Sequence, residues 1–320
     1  MKEAYKKRII FSENTNKEGI LSMNTKFNIS ACSNADLPFA HMQSRNIPVL
    51  FYTYTIGEEE FVDDMERDPA ALPCFYEKIA AGALPRTSQI NQVTYEEFFE
   101  ERLQTPGYLL HLSFGSGLSG SVNNAKLAAE ALMEKYPGRR IIVIDTLAAS
   151  SGYGMLVDYA ADMRDSGCSI EETEQWLLDN RNRLHHQFFC SDLAHFRRSG
   201  RVSGATATLG TLLGICPIMR LNDEGRIIAY DKVRGKKKAV AETTRIMLEH
   251  AQGGADYDGK CYICNSNCPD EAEMLKSSLE KAFPRLQGNI RICNIGCVIG
   301  SHCGPGTVAV FFLGDERTPG

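Results

Sequence analysis

Along most of the chain, short apolar runs alternate with segments whose apolar residues recur every three or four positions. The runs FNISAC (27–32), IPVLFYTYTI (47–56), YLLHLS (108–113) and RIIVI (140–144) read as strands. Helical spacing appears around 69–82 and 94–103, from 119 to 135, and through LAASSGYGMLVDYAADMRDSG, where Gly167 stops it. Strands separated by helices in this way predict a mostly parallel sheet with helices on its faces. A second unit begins near residue 168. SIEETEQWLLDNRNRL opens with Ser169 as an N-cap and acids in the first turn, and HQFFCS (186–191) follows as a strand. ICPIMRL and RIIAYDKV read as an antiparallel pair around an Asn222–Gly225 turn. Helix 237–251, strand 260–264, helix 269–282 and strands 289–293 and 307–313 complete the pattern. The expected fold class is α/β, with two α/β domains at residues 26–167 and 168–316.

Composition narrows the function classes. The chain has 320 residues, room for two ordinary domains, and its net charge of -5 gives no general attraction to nucleic acid. No run approaches the roughly 20 apolar residues of a membrane helix. Residues 1–25 carry basic side chains without a sustained apolar stretch, so they do not read as a secretory signal. They read as a disordered extension, with Met23 an alternative start. Eleven cysteines, an odd and scattered set, argue against a disulfide framework and for a reducing cytoplasm. Cys261 and Cys264 of CYIC sit three apart on an expected strand, so they face opposite sides and cannot grip one ion. No metal site is expected.

One stretch carries more specific chemistry. In LSFGSGLSGSVNNAKLAAEAL (112–132) a strand ends in glycine and serine, and a helix begins. Gly115, Gly117 and Gly120 spell G-x-G-x-x-G, and Asp145 closes the next strand, as in a dinucleotide site. The loop is nevertheless rich in hydroxyls at Ser116, Ser119 and Ser121, whereas a pyrophosphate loop favours bare backbone. It also follows a later strand than the first. Backbone N–H groups at a helix start suit any anion. LPRTSQIN (84–91) forms a second polar island whose Thr87 and Ser88 either cap the next helix or face a ligand. His302 precedes Gly304-Pro305-Gly306, and the run Lys232, Arg234, Lys236, Lys237 and Lys238 is a concentrated positive patch, either a solvated face or a docking surface for an acidic partner.

Seven motifs occur in order: SNADLP (33–38), TSQIN (87–91), GSGLSGSVNNA (115–125), VIDTLAASSGYGMLV (143–157), FRRSGRVSGATATLGTLLGICPIMRL (196–221), KVRGKKKA and IGSHCGPGTVAVFF. As a set they closely resemble the DegV family of bacterial fatty-acid-binding proteins, over roughly residues 26–314. The resemblance implies a DegV (EDD-type) fold whose two α/β domains hold one long-chain fatty acid in a tunnel at their interface. It implies that Thr87 and Ser116 hold the carboxylate, with Ser119 as neighbouring candidate, and that Arg201 and His302 lie near the head group. Ser33 joins them as the retained serine of the first motif. No catalytic nucleophile and no cofactor are implied. The partner would be a separate dihydroxyacetone-kinase-like fatty acid kinase subunit, which phosphorylates the carboxylate, with Lys232, Arg234, Lys236 and Lys237 as candidate docking residues.

The pattern departs from the family at three places. Ala31-Cys32-Ser33 lacks the usual acid, Ile90 replaces a proline, and Ser199-Gly200-Arg201 replaces G-G-R. Two other readings stay open at this point. One is a dinucleotide-dependent enzyme built on Gly115–Gly120 and Asp145. The other is a non-enzymatic regulatory lipid sensor using the basic run.

Overall fold

In the computed structural model, residues 27–202 and 214–319 are described. The expected N-terminal extension, and the part of the glycine-rich stretch at 203–213, lie outside the described residues.

Strands β1 (Phe27–Cys32), β2 (Val49–Leu50), β6 (Tyr108–Ser113) and β7 (Ile141–Asp145) form one sheet in the order β2-β1-β6-β7. All its pairings are parallel. β1 and β6 are buried almost throughout, which is why they read as near-continuous apolar runs.

The second half differs from the expectation. Strands β8 (Leu184–Phe189), β9 (Ile215–Leu221), β10 (Ile227–Arg234), β11 (Cys261–Asn265), β12 (Ile290–Asn294) and β13 (Val308–Leu313) form a six-stranded sheet, ordered β10-β9-β8-β13-β11-β12. Only β11 and β12 pair in parallel; the other four pairings are antiparallel. The last strand inserts between β8 and β11 and runs against both, so the helix–strand alternation there does not produce a parallel sheet. The expected turn joins β9 to β10, with Gly225 N donating to Asn222 O at 3.0 Å.

A third sheet was not expected. The run 47–56 divides: β2 stays in the parallel sheet, and β3 (Thr53–Ile56) leaves it to pair with β4 (Glu59–Val62) and β5 (Arg86–Thr87).

Helix α5 (Ser150–Asp165) binds the layers together. It packs on β1 of the first sheet and on β8, β11 and β13 of the second. Two glycines allow that approach. A Cβ at Gly152 would lie 2.5 Å from the His186 ring and from Phe311, and one at Gly154 would lie 2.5 Å from the Ala35 carbonyl. The apolar core running through both large sheets includes Tyr153, Leu156 and Val157 of this helix, all fully buried.

The remaining helices are α1 (Phe39–Ser44), α2 (Ala71–Ala80), α3 (Gln92–Arg102), α4 (Ser121–Lys135), α6 (Ile170–Asn180), α7 (Ala194–Arg198), α8 (Lys236–His250), α9 (Pro269–Ala282) and α10 (Cys297–Cys303). Ser169 caps α6 as expected: its hydroxyl accepts from Glu172 N at 3.1 Å while Glu172 accepts from Ser169 N at 2.7 Å. Among the described residues, no helix is long and apolar enough to cross a membrane.

Candidate functional site

A cavity of about 130 Å³ is lined from all three sheets or the loops that leave them. Thr87 of β5, Phe114 and Leu118 after β6, and Phe188, Leu221 and Phe311 of the large sheet face it. Its wall is mostly apolar. Asn34, Tyr52, Ser150, His186 and Thr307 are buried polar residues of the wall, and the less buried ones are Thr87, Ser88, Gln89, Ser119, Arg201 and His302. Ser88 and Gln89 are exposed, and the other four are half-buried, so this polar side reaches the protein surface.

The fold positions these side chains by backbone pairing and by one short helix. Thr87 is fixed opposite Tyr54 in the small sheet. His302 rides on α10, whose start is gripped by two carboxylates. Asp36 accepts from Gly296 N at 3.0 Å, and Asp63 accepts from Cys297 N at 2.9 Å. Both acids are buried. Burial pushes Asp63 up to about 6, and burial followed by the charge of Asp63 pushes Asp36 well above the usual carboxylate range.

His302 Nε2 lies 2.8 Å from Thr87 Oγ1. Burial, then Arg201 and Arg198, hold the imidazole down to about 4, so it is neutral at pH 7. When its Nε2–H donates to Thr87, the threonine proton is free to donate elsewhere. Arg201 donates to the carbonyl of Ser199 and stays cationic near neutrality, although burial lowers its pKa. The side is thus built for an anion: hydroxyl donors, a neutral imidazole and one guanidinium.

Four buried polar atoms on the wall have no hydrogen-bond partner among the described residues: Asn34 Oδ1, the Tyr52 hydroxyl, His302 Nδ1 and Thr307 Oγ1. The Tyr52 phenol lies near the Ser119, Ser121 and Tyr95 hydroxyls without a well-aligned bond to any of them. Each such atom costs about 1–3 kcal/mol, an incentive to take up a molecule with a polar end. Sequence reasoning did not single out Tyr52 or Asn34. Asn34 stands inside the SNADLP motif, a usable signal, whereas Tyr52 was hidden in an apolar run.

The glycine-serine loop is placed differently from expectation. Ser116 is exposed and does not line the cavity; its backbone N donates to Asp145 Oδ1 at 3.0 Å. The helix starts at Ser121, five residues on, and Ser119 is the loop hydroxyl that faces the cavity. Ser119 donates to Ser121 Oγ at 3.2 Å. Ser33 also lies off this wall. It donates to Asp63 Oδ2 at 3.1 Å and accepts from Tyr52 N at 3.0 Å, which positions Tyr52.

The dinucleotide reading meets a direct obstacle. A Cβ at Gly115 would sit 2.8 Å from Ala148 N, and one at Gly117 would sit 2.4 Å from the Glu224 carbonyl. These glycines make room for the protein's own backbone rather than for a pyrophosphate. Asp145 accepts from Ser116 N and Leu147 N at 3.0 and 3.1 Å, so its Oδ1 is engaged in holding the loop.

In the basic run, Lys232, Arg234, Lys237 and Lys238 are exposed, and Lys236 pairs with Glu271. Cys261 and Cys264 are buried in β11, and none of the eleven cysteines forms a disulfide.

Residues 26–315 match a family described as "Uncharacterised protein, DegV family". A DegV domain-containing protein of Clostridium perfringens is 38% identical over 296 residues, covering 92% of this chain and 99% of that protein. A solved structure described as fatty acid binding of a DegV family protein, from Thermus thermophilus, is 30% identical. It has a TM-score of 0.78 and covers 91% of this chain and 100% of that one. The Streptococcus pneumoniae Fatty Acid Kinase (Fak) B3 protein, loaded with linoleic acid, is 22% identical with a TM-score of 0.77, covering 91% and 100%. That last likeness is one of fold.

Proposed function

The chain belongs to the DegV family, and we propose that it binds one long-chain fatty acid, tail in the apolar cavity and carboxylate at the polar side. The observation that carries this reading is the pairing of a mostly apolar cavity with Thr87, Ser119, Arg201 and His302 at its surface-facing side. The fatty acid binding described for the Thermus thermophilus relative supports it. The carboxylate is held by Thr87 and Ser119, with Arg201 supplying positive charge and His302 orienting Thr87. Ser116, the first choice from sequence, gives way to Ser119.

A carboxylate held at the surface is accessible to a second protein. The chain then acts as the substrate-presenting subunit of a fatty acid kinase system, in the cytoplasm, and a dihydroxyacetone-kinase-like partner forms the acyl phosphate. Residues 26–167 and 168–316 act as two domains, with the acyl chain lying in a tunnel between them. Lys232, Arg234 and Lys237 are the docking residues this reading favours, because Lys236 is already paired with Glu271.

A cavity of about 130 Å³ is the size that holds a benzene-sized molecule. A long acyl chain enters only as wall side chains such as Leu118, Leu221 and Ile299 rotate aside.

Organic extraction of the purified protein followed by mass spectrometry tests the reading. The expected result is one long-chain fatty acid per chain. Stoichiometric recovery of a nucleotide in its place overturns it. Adding the kinase subunit and ATP then separates a presenting protein, which supports acyl-phosphate formation, from a lipid sensor, which does not.

A further inference from the structure

Three segments far apart in sequence converge at one end of the two central strands of the large sheet: the start of β8, the end of α8 and the residues just after β13. Each contributes one side chain, His185, His250 and Asp315. His185 Nε2 lies 2.9 Å from Asp315 Oδ1 and 3.0 Å from the Asp315 carbonyl oxygen. His250 Nδ1 lies 3.0 Å from Asp315 Oδ2 and 3.2 Å from Oδ1. One ligand atom from each residue falls within 4.8 Å of the other two. The two imidazoles stack with centroids 5.3 Å apart, and His185 stacks in turn on Phe312 at 5.0 Å.

The main chain holds this arrangement in place. Asp315 N donates to the His250 carbonyl at 3.1 Å, Gly314 N donates to Arg183 O at 2.8 Å, and Gln252 N donates to Leu313 O at 3.1 Å. The three side chains are therefore preorganised by backbone contacts among their own segments, rather than meeting by chance on mobile loops.

We propose that His185, His250 and Asp315 form a site for a divalent transition-metal ion of the zinc type, with solvent completing the coordination. Two imidazoles and one carboxylate are borderline ligands of the kind zinc takes, and three protein ligands leave an open position. Bond lengths of about 2.0–2.2 Å in a tetrahedron put ligand atoms about 3.3 Å apart. Measured to the one oxygen Oδ1, the ring nitrogens of His185 and His250 lie at 2.9 and 3.2 Å, separations that need to widen by only a few tenths of an ångström. His250 is the last residue of α8, where the helix's free carbonyls favour a cation. The nearby cations Arg183 and Arg317 are fixed by the carbonyls of Gly314 and Leu147.

Bound metal would clasp the C-terminal strap. Beyond Asp315, Arg317 donates to the Leu147 carbonyl at 3.1 Å, and Arg220 donates to the carbonyls of Thr318 and Pro319 at 2.9 Å. Leu147 precedes Ala149 and Ser150 of the cavity wall, so the strap runs from the clasp to the region of the ligand site.

The test is titration of the full-length, chelator-treated protein with Zn²⁺, and with Co²⁺ as a coloured substitute. One ion per chain is expected, with a Co²⁺ spectrum of nitrogen and oxygen ligation that lacks a thiolate charge-transfer band. His250→Ala, at a half-buried position, and Asp315→Asn, at an exposed one, should each weaken binding at least about 100-fold with circular dichroism unchanged. Cys74→Ser, which removes the one exposed thiol, should bind as the parent does. Failure to bind at one per chain, parent-like affinity in Asp315→Asn, or a thiolate band would each overturn the site and leave a hydrogen-bonded histidine–aspartate contact. Should His250→Ala fold poorly, Asp315→Asn decides alone.

Discussion

Replacing Thr87 by valine removes one hydroxyl from the cavity's polar side and nearly keeps the side chain's shape. In the proposed complex that hydroxyl donates to the carboxylate, while the neutral His302 donates its Nε2–H to the threonine oxygen 2.8 Å away. A hydrogen bond to a charged group contributes about 1.5–3 kcal/mol, so fatty-acid Kd should rise roughly 12- to 160-fold. The matching fatty alcohol loses only a neutral hydrogen bond, about 1 kcal/mol, and its Kd should rise about fivefold. Ser119→Ala should act in the same direction for the same reason. Ser116→Ala should leave both affinities within about twofold, because that side chain is exposed and only its backbone N–H is engaged, by Asp145. Acid and alcohol affinities are measured side by side by calorimetry for the three variants. Equal losses for acid and alcohol, or a Ser116→Ala loss as large as that of Ser119→Ala, would refute the assignment.

Gly117→Ala should destabilise the protein by about 1–3 kcal/mol in urea denaturation, since the new Cβ lies 2.4 Å from the Glu224 carbonyl and 2.5 Å from the Gly225 backbone. Unchanged stability would show that the loop has room for something other than the β9–β10 turn. Asp63, pushed up to about 6 by burial, binds its proton more tightly folded than unfolded. Its contribution is therefore fully present below pH 4 and lost as pH rises through 6, a swing of about 3 kcal/mol. Asp63→Asn has no such proton, so the stability difference between parent and variant should change across pH 4–7; a constant difference contradicts the reasoning. Arg234→Glu with Lys237→Glu should weaken association with the kinase subunit and make it less salt-sensitive; unchanged association returns these residues to an ordinary solvated face.

Strands that stay buried in one sheet were legible in the sequence, and strands that change sheet were not. β1, β6 and β7 appear as apolar runs bounded by polar residues, and the turn at Asn222–Gly225 carries its own chemistry. The run 47–56 looks continuous because Leu50, Tyr52 and Tyr54 are all apolar, yet the chain leaves the parallel sheet between β2 and β3. Nothing in hydrophobicity marks that step. β5 is two residues long, too short for any periodicity, and it holds Thr87 of the cavity wall. The order of the large sheet depends on β13 inserting between β8 and β11, a tertiary choice that alternating helices and strands misrepresent as parallel.

The site was legible as a set of loops and not as a set of directions. Thr87, Ser119, Arg201 and His302 do line one cavity. Ser116 and Ser33 sit in the right motifs but point elsewhere, one to solvent and one to Asp63 and Tyr52. A motif identifies which loop approaches a ligand. Which of its hydroxyls turns inward follows from where the helix begins, and here that is Ser121 rather than the end of the strand.

Affinity and orientation are divided between the two sides of this cavity. Burying about fourteen methylenes at roughly 0.8 kcal/mol each gives about 11 kcal/mol before ordering costs, against about 1.5–3 kcal/mol for a charge-assisted bond to the carboxylate. The tail thus supplies most of the affinity in the proposed complex, and the head group can be held lightly. Part of the tail's contribution is spent on moving wall side chains, because the cavity as it stands is smaller than a long acyl chain. The polar side has the opposite character. Thr87 and His302 are already bonded to each other, and α10 is already anchored on Asp36 and Asp63, so little reorganisation is needed there. In the proposed complex, a yielding apolar wall beside a fixed polar side would accept different chains while keeping every carboxylate in one place, as handing a carboxylate to a partner requires.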